Sequence, residues 1–107
     1  MAVKKIIDER CVLSRKKGNG QIRREVWTGE DGKVVRYNLA YINHTVFAGD
    51  NGRVVGYDNN HGSHHRHLMG QMFPVTFTSM EELEVRFCKE WKELMPAKKG
   101  PKKDLKC

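Results

Sequence analysis

The feature that most constrains this chain is its punctuation. Short β-prone runs, each closed by a glycine- or asparagine-rich turn, are followed by one amphipathic stretch that a proline ends. The first run, Ile6 to Leu13, gives way to Lys17-Gly18-Asn19-Gly20, and the second, Gln21 to Thr28, to Glu30-Asp31-Gly32. Turn residues between runs of this length join neighbouring antiparallel strands, so the first third of the chain reads as a meander. The third run, Val34 to Phe47, alternates Val35, Tyr37, Leu39 and Tyr41 with Arg36 and Asn38, the period of two of a half-buried strand. Gly49-Asp50-Asn51-Gly52 then leads into a short strand from Arg53 to Tyr57. Phe73 to Phe77 is again β-prone, and Pro74 confines it to an edge or a strand start.

The pattern changes at Ser79. Ser79 and Glu82 have capping-box spacing, with Glu81 and Glu84 where a helix N-terminus favours negative charge. Met80, Leu83, Phe87, Trp91, Leu94 and Met95 recur at steps of three and four, which predicts a helix over 80–95 stopped by Pro96. Its apolar stripe must cover one face of the sheet. A chain of 107 residues holds one core. The predicted fold is α+β: a single domain over 1–96, with a curved antiparallel sheet of about five to six strands packed by one C-terminal helix. Residues 97–107 read as a basic, disordered tail.

Charge points to an anionic partner, since the net value is +7. Much of that excess sits in the tail, as Lys98, Lys99, Lys102, Lys103 and Lys106 against Asp104. The rest includes Lys4, Lys5, Arg10, Arg15, Lys16, Lys17, Arg23 and Arg24, early enough to share a sheet face or its edge. Lys16, Lys17, Arg23 and Arg24 are the candidate nucleic-acid contacts. Cys11, Cys88 and Cys107 are far apart and form no C-x-x-C pair, so they read as buried or idle thiols and indicate neither a disulfide framework nor a zinc ribbon. The apolar runs are short and no hydrophobic stretch follows Met-Ala-Val-Lys-Lys, so the expectation is a cytoplasmic protein without a membrane partner.

Four of the five histidines, His61, His64, His65 and His67, fall within seven residues. An imidazole has an unperturbed pKa of about 6.5, so two of them can serve as acid and base near neutrality. In an extended strand His65 and His67 share a face, about 7 Å apart, while His64 and Arg66 point to the other. The candidate catalytic set is His65 and His67, with Asp58 and His61 reaching over them from the preceding loop and Asp58 orienting a ring. Strict alternation turns Arg66 away unless a bulge or an edge re-aims it, and Tyr57 is a weaker member of the set. Zinc at His61, His65, His67 and Asp58 is the competing use of these ligands.

Val55-Gly56-Tyr57-Asp58-Asn59, His61-Gly62, His64-His65-Arg66-His67, Gly70 and a capped helix running to Trp91 together resemble the TumE family of small toxins. The resemblance spans roughly residues 20 to 95 and is strongest over 35 to 94. It implies the toxin of a type II toxin–antitoxin module encoded beside a helix-turn-helix antitoxin. Action on RNA follows by analogy with toxins of this size.

Three functions remain open on the sequence. The first is a metal-independent ribonuclease in which His65 and His67 exchange protons with the 2′-hydroxyl and the leaving oxygen, with Arg66 or a cation of the first hairpin stabilising the phosphate. The second is a non-catalytic module that binds nucleic acid or antitoxin through a basic face. The third is a metal-dependent hydrolase at the same cluster. The sequence also leaves a homodimer open.

Overall fold

In a computed structural model of the chain the described residues are 2–14 and 20–96. Among them, six strands form one antiparallel sheet in the order β1-β2-β3-β4-β5-β6. They are β1 (Lys4–Val12), β2 (Gln21–Thr28), β3 (Val34–Ile42), β4 (Arg53–Asp58), β5 (His65–Leu68) and β6 (Gln71–Pro74), followed by the helix α1 (Met80–Leu94). The α+β expectation holds, and the meander read in the first third of the chain extends through all six strands, because each connection joins adjacent strands.

The differences from the sequence reading have local causes. β3 ends at Ile42 and not at Phe47, because Asn43 turns the chain: its Oδ1 accepts from Thr45 N at 3.0 Å and from Thr45 Oγ1 at 2.6 Å. The next strand, β5, begins at His65 and returns as β6 through a two-residue turn in which Met69 and Gly70 both have positive φ, 44° and 84°. Pro74 ends edge strand β6; Val75 N still donates to His64 O at 3.0 Å, and the chain then runs on to the helix. Cys11 is a free, exposed thiol on edge strand β1, so of the buried and idle readings the buried one does not apply to it.

The helix forms as its spacing predicts. The Ser79 side chain accepts from Glu82 N at 3.0 Å, and Thr78 Oγ1 donates to Glu82 Oε1 at 3.3 Å. Leu83, Phe87 and Trp91 are buried against β3 and β4, where they meet Tyr37, Leu39, Tyr41, Val55 and Tyr57. Burying side chains of this size contributes about 1.5–3 kcal/mol each. Val35, by contrast, is exposed, since β4 stops opposite Asn38 and leaves the start of β3 without a strand on that side.

Register assigns every strand residue to a side. Arg24, Leu39, Tyr57 and Arg66 lie across from one another on the helix side. Glu25, Asn38, Asp58 and His65 form the adjacent row on the opposite side, which no element covers among the described residues.

Candidate functional site

Asp58 organises the open face. It ends β4, and its side chain is only 6% exposed, so its charge needs partners to be tolerated. Arg53 Nη1 donates to Asp58 Oδ2 at 3.3 Å and Asn60 N donates to Asp58 Oδ1 at 3.3 Å. His67 Nε2 lies 3.0 Å from Asp58 Oδ2, and His65 Nδ1 lies 4.0 Å from Oδ1. The two imidazole centroids are 6.2 Å apart. Buried Nε2 of His67 makes no hydrogen bond among the described residues, because the carboxylate is near it but off the N–H direction.

A glycine makes this cluster fit. His67 pairs with Gly56 across β4 and β5, and Arg53 folds over the same position to reach both Asp58 and Asp50. A Cβ at Gly56 would sit 2.6 Å from Leu39 O and 3.0 Å from Arg53 Cδ. A side chain there would push on backbone and displace the arginine.

The Tyr57-Asp58-Asn59 element divides its labour by side. Tyr57 points under the helix, where its hydroxyl donates to Glu90 Oε1 at 2.6 Å. Burial first, and then that hydrogen bond, push the Tyr57 hydroxyl up to about 12. Asp58 points to the open face. Asn59 extends the ladder beyond the end of β4: its Oδ1 accepts from Tyr37 N at 3.0 Å and its Nδ2 donates to Val35 O at 3.0 Å. An amide side chain thus does the work of a missing strand residue.

The structure brings Asp58, His65 and His67 together and places Arg66 and Tyr57 on the other side of the sheet. Arg66 lies on the helix side, where Nε donates to Glu90 Oε1 at 3.2 Å. His64 also faces that side, with Nδ1 2.8 Å from the Tyr37 hydroxyl and its ring stacked 4.7 Å from Phe77. Burial pushes the Tyr37 hydroxyl up to about 12, so it keeps its proton in this contact. The backbone of His61 lies in a 3-10 turn over Asn60–Gly62, and its side chain falls outside the described structure. Arg23 and Arg24 occupy opposite sides of β2. Arg23 pairs with Glu25 at 3.0 Å and Asp8 at 3.5 Å, while Arg24 pairs with Glu9 and Glu84. Lys16 and Lys17 lie outside the described residues, as does the tail over 97–107. Among the described residues no three His, Cys, Asp or Glu side chains converge as a set that would hold a metal ion.

Sequence reasoning missed Arg53 and Glu90. Arg53 carried no legible signal, since it lies five residues before Asp58 and strict alternation puts it on the other face; an irregularity in the β3–β4 pairing beside it brings it to the Asp58 side. Glu90 carried none, because its partners are 33 and 24 residues away.

The fold is an antiparallel sheet backed by one helix, with a buried carboxylate and two imidazoles recessed in its uncovered side. The sequence model of the family described as Toxin TumE matches residues 20–95, and the chain belongs to that family. Membership makes it the toxin of a toxin–antitoxin pair, with an antitoxin as its partner. No curated protein and no solved structure matches it. No helix among the described residues is long and apolar enough to cross a membrane.

Proposed function

We propose that this toxin is a metal-independent ribonuclease acting in the cytoplasm and silenced by a helix-turn-helix antitoxin. The observation that supports it is the Asp58-His65-His67 cluster, in which two imidazoles and one buried carboxylate share the open sheet face. His67, 14% exposed and beside Asp58, takes the proton of the RNA 2′-hydroxyl as that oxygen attacks the adjacent phosphorus. The bond from phosphorus to the 5′ oxygen breaks, and His65, 22% exposed, protonates the departing oxygen. The products are a 2′,3′-cyclic phosphate and a free 5′-hydroxyl. Each proton transfer is worth about a hundred- to ten-thousandfold. Arg53, hydrogen-bonded to Asp58, is the guanidinium beside the two imidazoles and stabilises the charge that develops on the phosphate.

The test is cleavage of single-stranded RNA by the purified chain. The expected outcome is a bell-shaped pH profile, persistence in EDTA, and a loss of at least about a hundredfold in His67→Ala with an unchanged melting temperature. In cells the His65→Ala, His67→Ala double variant no longer arrests growth. Cleavage abolished by EDTA would favour the metal-dependent hydrolase. Growth arrest that survives the double substitution would overturn the proposal.

A further inference from the structure

The row beside the histidine cluster carries an aromatic platform that the mechanism does not use. Lys5, Trp27 and Arg36 are partners in register across β1, β2 and β3, on the open side of the sheet. Lys5 Nζ lies 5.0 Å and Arg36 Cζ 4.9 Å from the Trp27 ring centroid. Trp27 is half-buried, which leaves ring surface within reach of a ligand. The charges of the two flanking cations are not equivalent. Lys5 is tied to Glu25 at 2.8 Å and Asp8 at 3.2 Å, whereas exposed Arg36 has no carboxylate partner among the described residues. Arg36 also borders a concavity lined by Val35, Asn59, Asn60 and Gly62, the loop that leads from Asp58 to His65.

We propose that Trp27 and Arg36 form a nucleotide-binding subsite for single-stranded RNA, on the same sheet face as Asp58, His65 and His67. The inference rests on the ribonuclease reading and names how its substrate is held. An indole beside a guanidinium suits a base stacked on the ring with its phosphate on the cation. A duplex keeps its bases stacked on each other and offers no free face, so single strands are preferred. A polyacidic protein segment would instead meet Glu25 and Asp8 with only Arg36 uncompensated in this row. At about 4.8 Å between strands and about 3.3 Å per residue, Trp27 lies roughly 16 Å from His65, a span of a few nucleotides.

The experiment measures binding of a labelled single-stranded RNA oligomer by the full chain carrying His65→Ala and His67→Ala, so that turnover does not intervene. Arg36→Gln and Trp27→Leu each lower affinity about tenfold, Trp27→Phe retains most of it, and Arg36→Gln reduces the salt slope by about one. Indole fluorescence falls on binding unless Trp27 is replaced. Because Arg36 is exposed, Arg36→Gln decides the matter even where Trp27→Leu fails to fold. Unchanged RNA affinity in Arg36→Gln, or a loss seen with an acidic peptide and not with RNA, overturns the subsite. RNA bound through these residues without cleavage by the unsubstituted chain keeps the subsite and sinks the ribonuclease reading. Cleavage with an unaltered KM in Arg36→Gln does the reverse.

Discussion

On the covered side of the sheet, polar groups meet specific partners: Tyr57 and Arg66 converge on Glu90, and Arg24 bridges Glu9 and Glu84. On the open side, one strand residue away, Asp58 is almost wholly buried while the adjacent Nε2 of His67 is left without a hydrogen bond. The difference separates two uses of polarity. Under the helix, charge and hydroxyl are paired so that they can be enclosed between layers, where a satisfied bond adds about 1 kcal/mol. Over the open face the buried Nε2 of His67 lies 3.0 Å from Asp58 Oδ2 without the alignment of a hydrogen bond among the described residues.

The comparison breaks first at the core. Phe87→Ala removes a ring that is 2% exposed and packs edge-on against Tyr57 at 6.5 Å. Thermal or denaturant unfolding is expected to show a loss of about 3–5 kcal/mol. RNA cleavage below the lowered melting point keeps its pH profile. A changed profile would mean that the two sides are coupled.

Asp58→Asn tests the open side at a smaller scale. The amide keeps the shape and removes the charge beside both imidazoles, so cleavage falls about a hundredfold while the fold persists. Arg66→Gln, one strand away on the helix side, changes cleavage only a fewfold and acts through stability. Equal damage to cleavage from the two substitutions, at matched stability, would erase the distinction between the sides.

The smallest effect sharpens the covered side through pH. The folded state holds the Tyr57 proton up to about 12, against 10 for an unperturbed phenol, so the stability it contributes is complete below pH 10 and is lost as pH rises toward 12. Tyr37 acts in the same direction. Tyr57→Phe is expected to cost about 1–2 kcal/mol at neutral pH and to flatten the alkaline part of the stability curve, measured by urea titration at a series of pH values. An alkaline limb identical to that of the unsubstituted chain would show that the Tyr57 hydroxyl does not set it.

Local chemistry was legible before any coordinates. The alternation of Tyr37, Leu39 and Tyr41 placed all three in the core, and the cap at Ser79 with the stripe from Leu83 to Trp91 set the helix. Period two likewise put His65 and His67 on one side and Arg66 on the other, because a strand leaves a side chain no choice of face. The ends of elements were harder. β3 stops at Asn43 and β5 turns at Met69-Gly70 through hydrogen bonds and dihedral angles that a pattern of hydrophobicity does not record.

Sequence by itself determined the class of elements, the hairpin order of the first strands and the histidine-rich segment, since propensity, period and turn residues act over a few positions. Tertiary structure decided which groups meet. Arg53 reaches Asp58 only because Gly56 leaves room, Glu90 gathers Tyr57 and Arg66 only after the helix has docked, and Trp27 comes beside Arg36 only through pairing of β2 with β3. Those contacts depend on register and layer packing, which join residues far apart in the chain and leave no local mark on either partner.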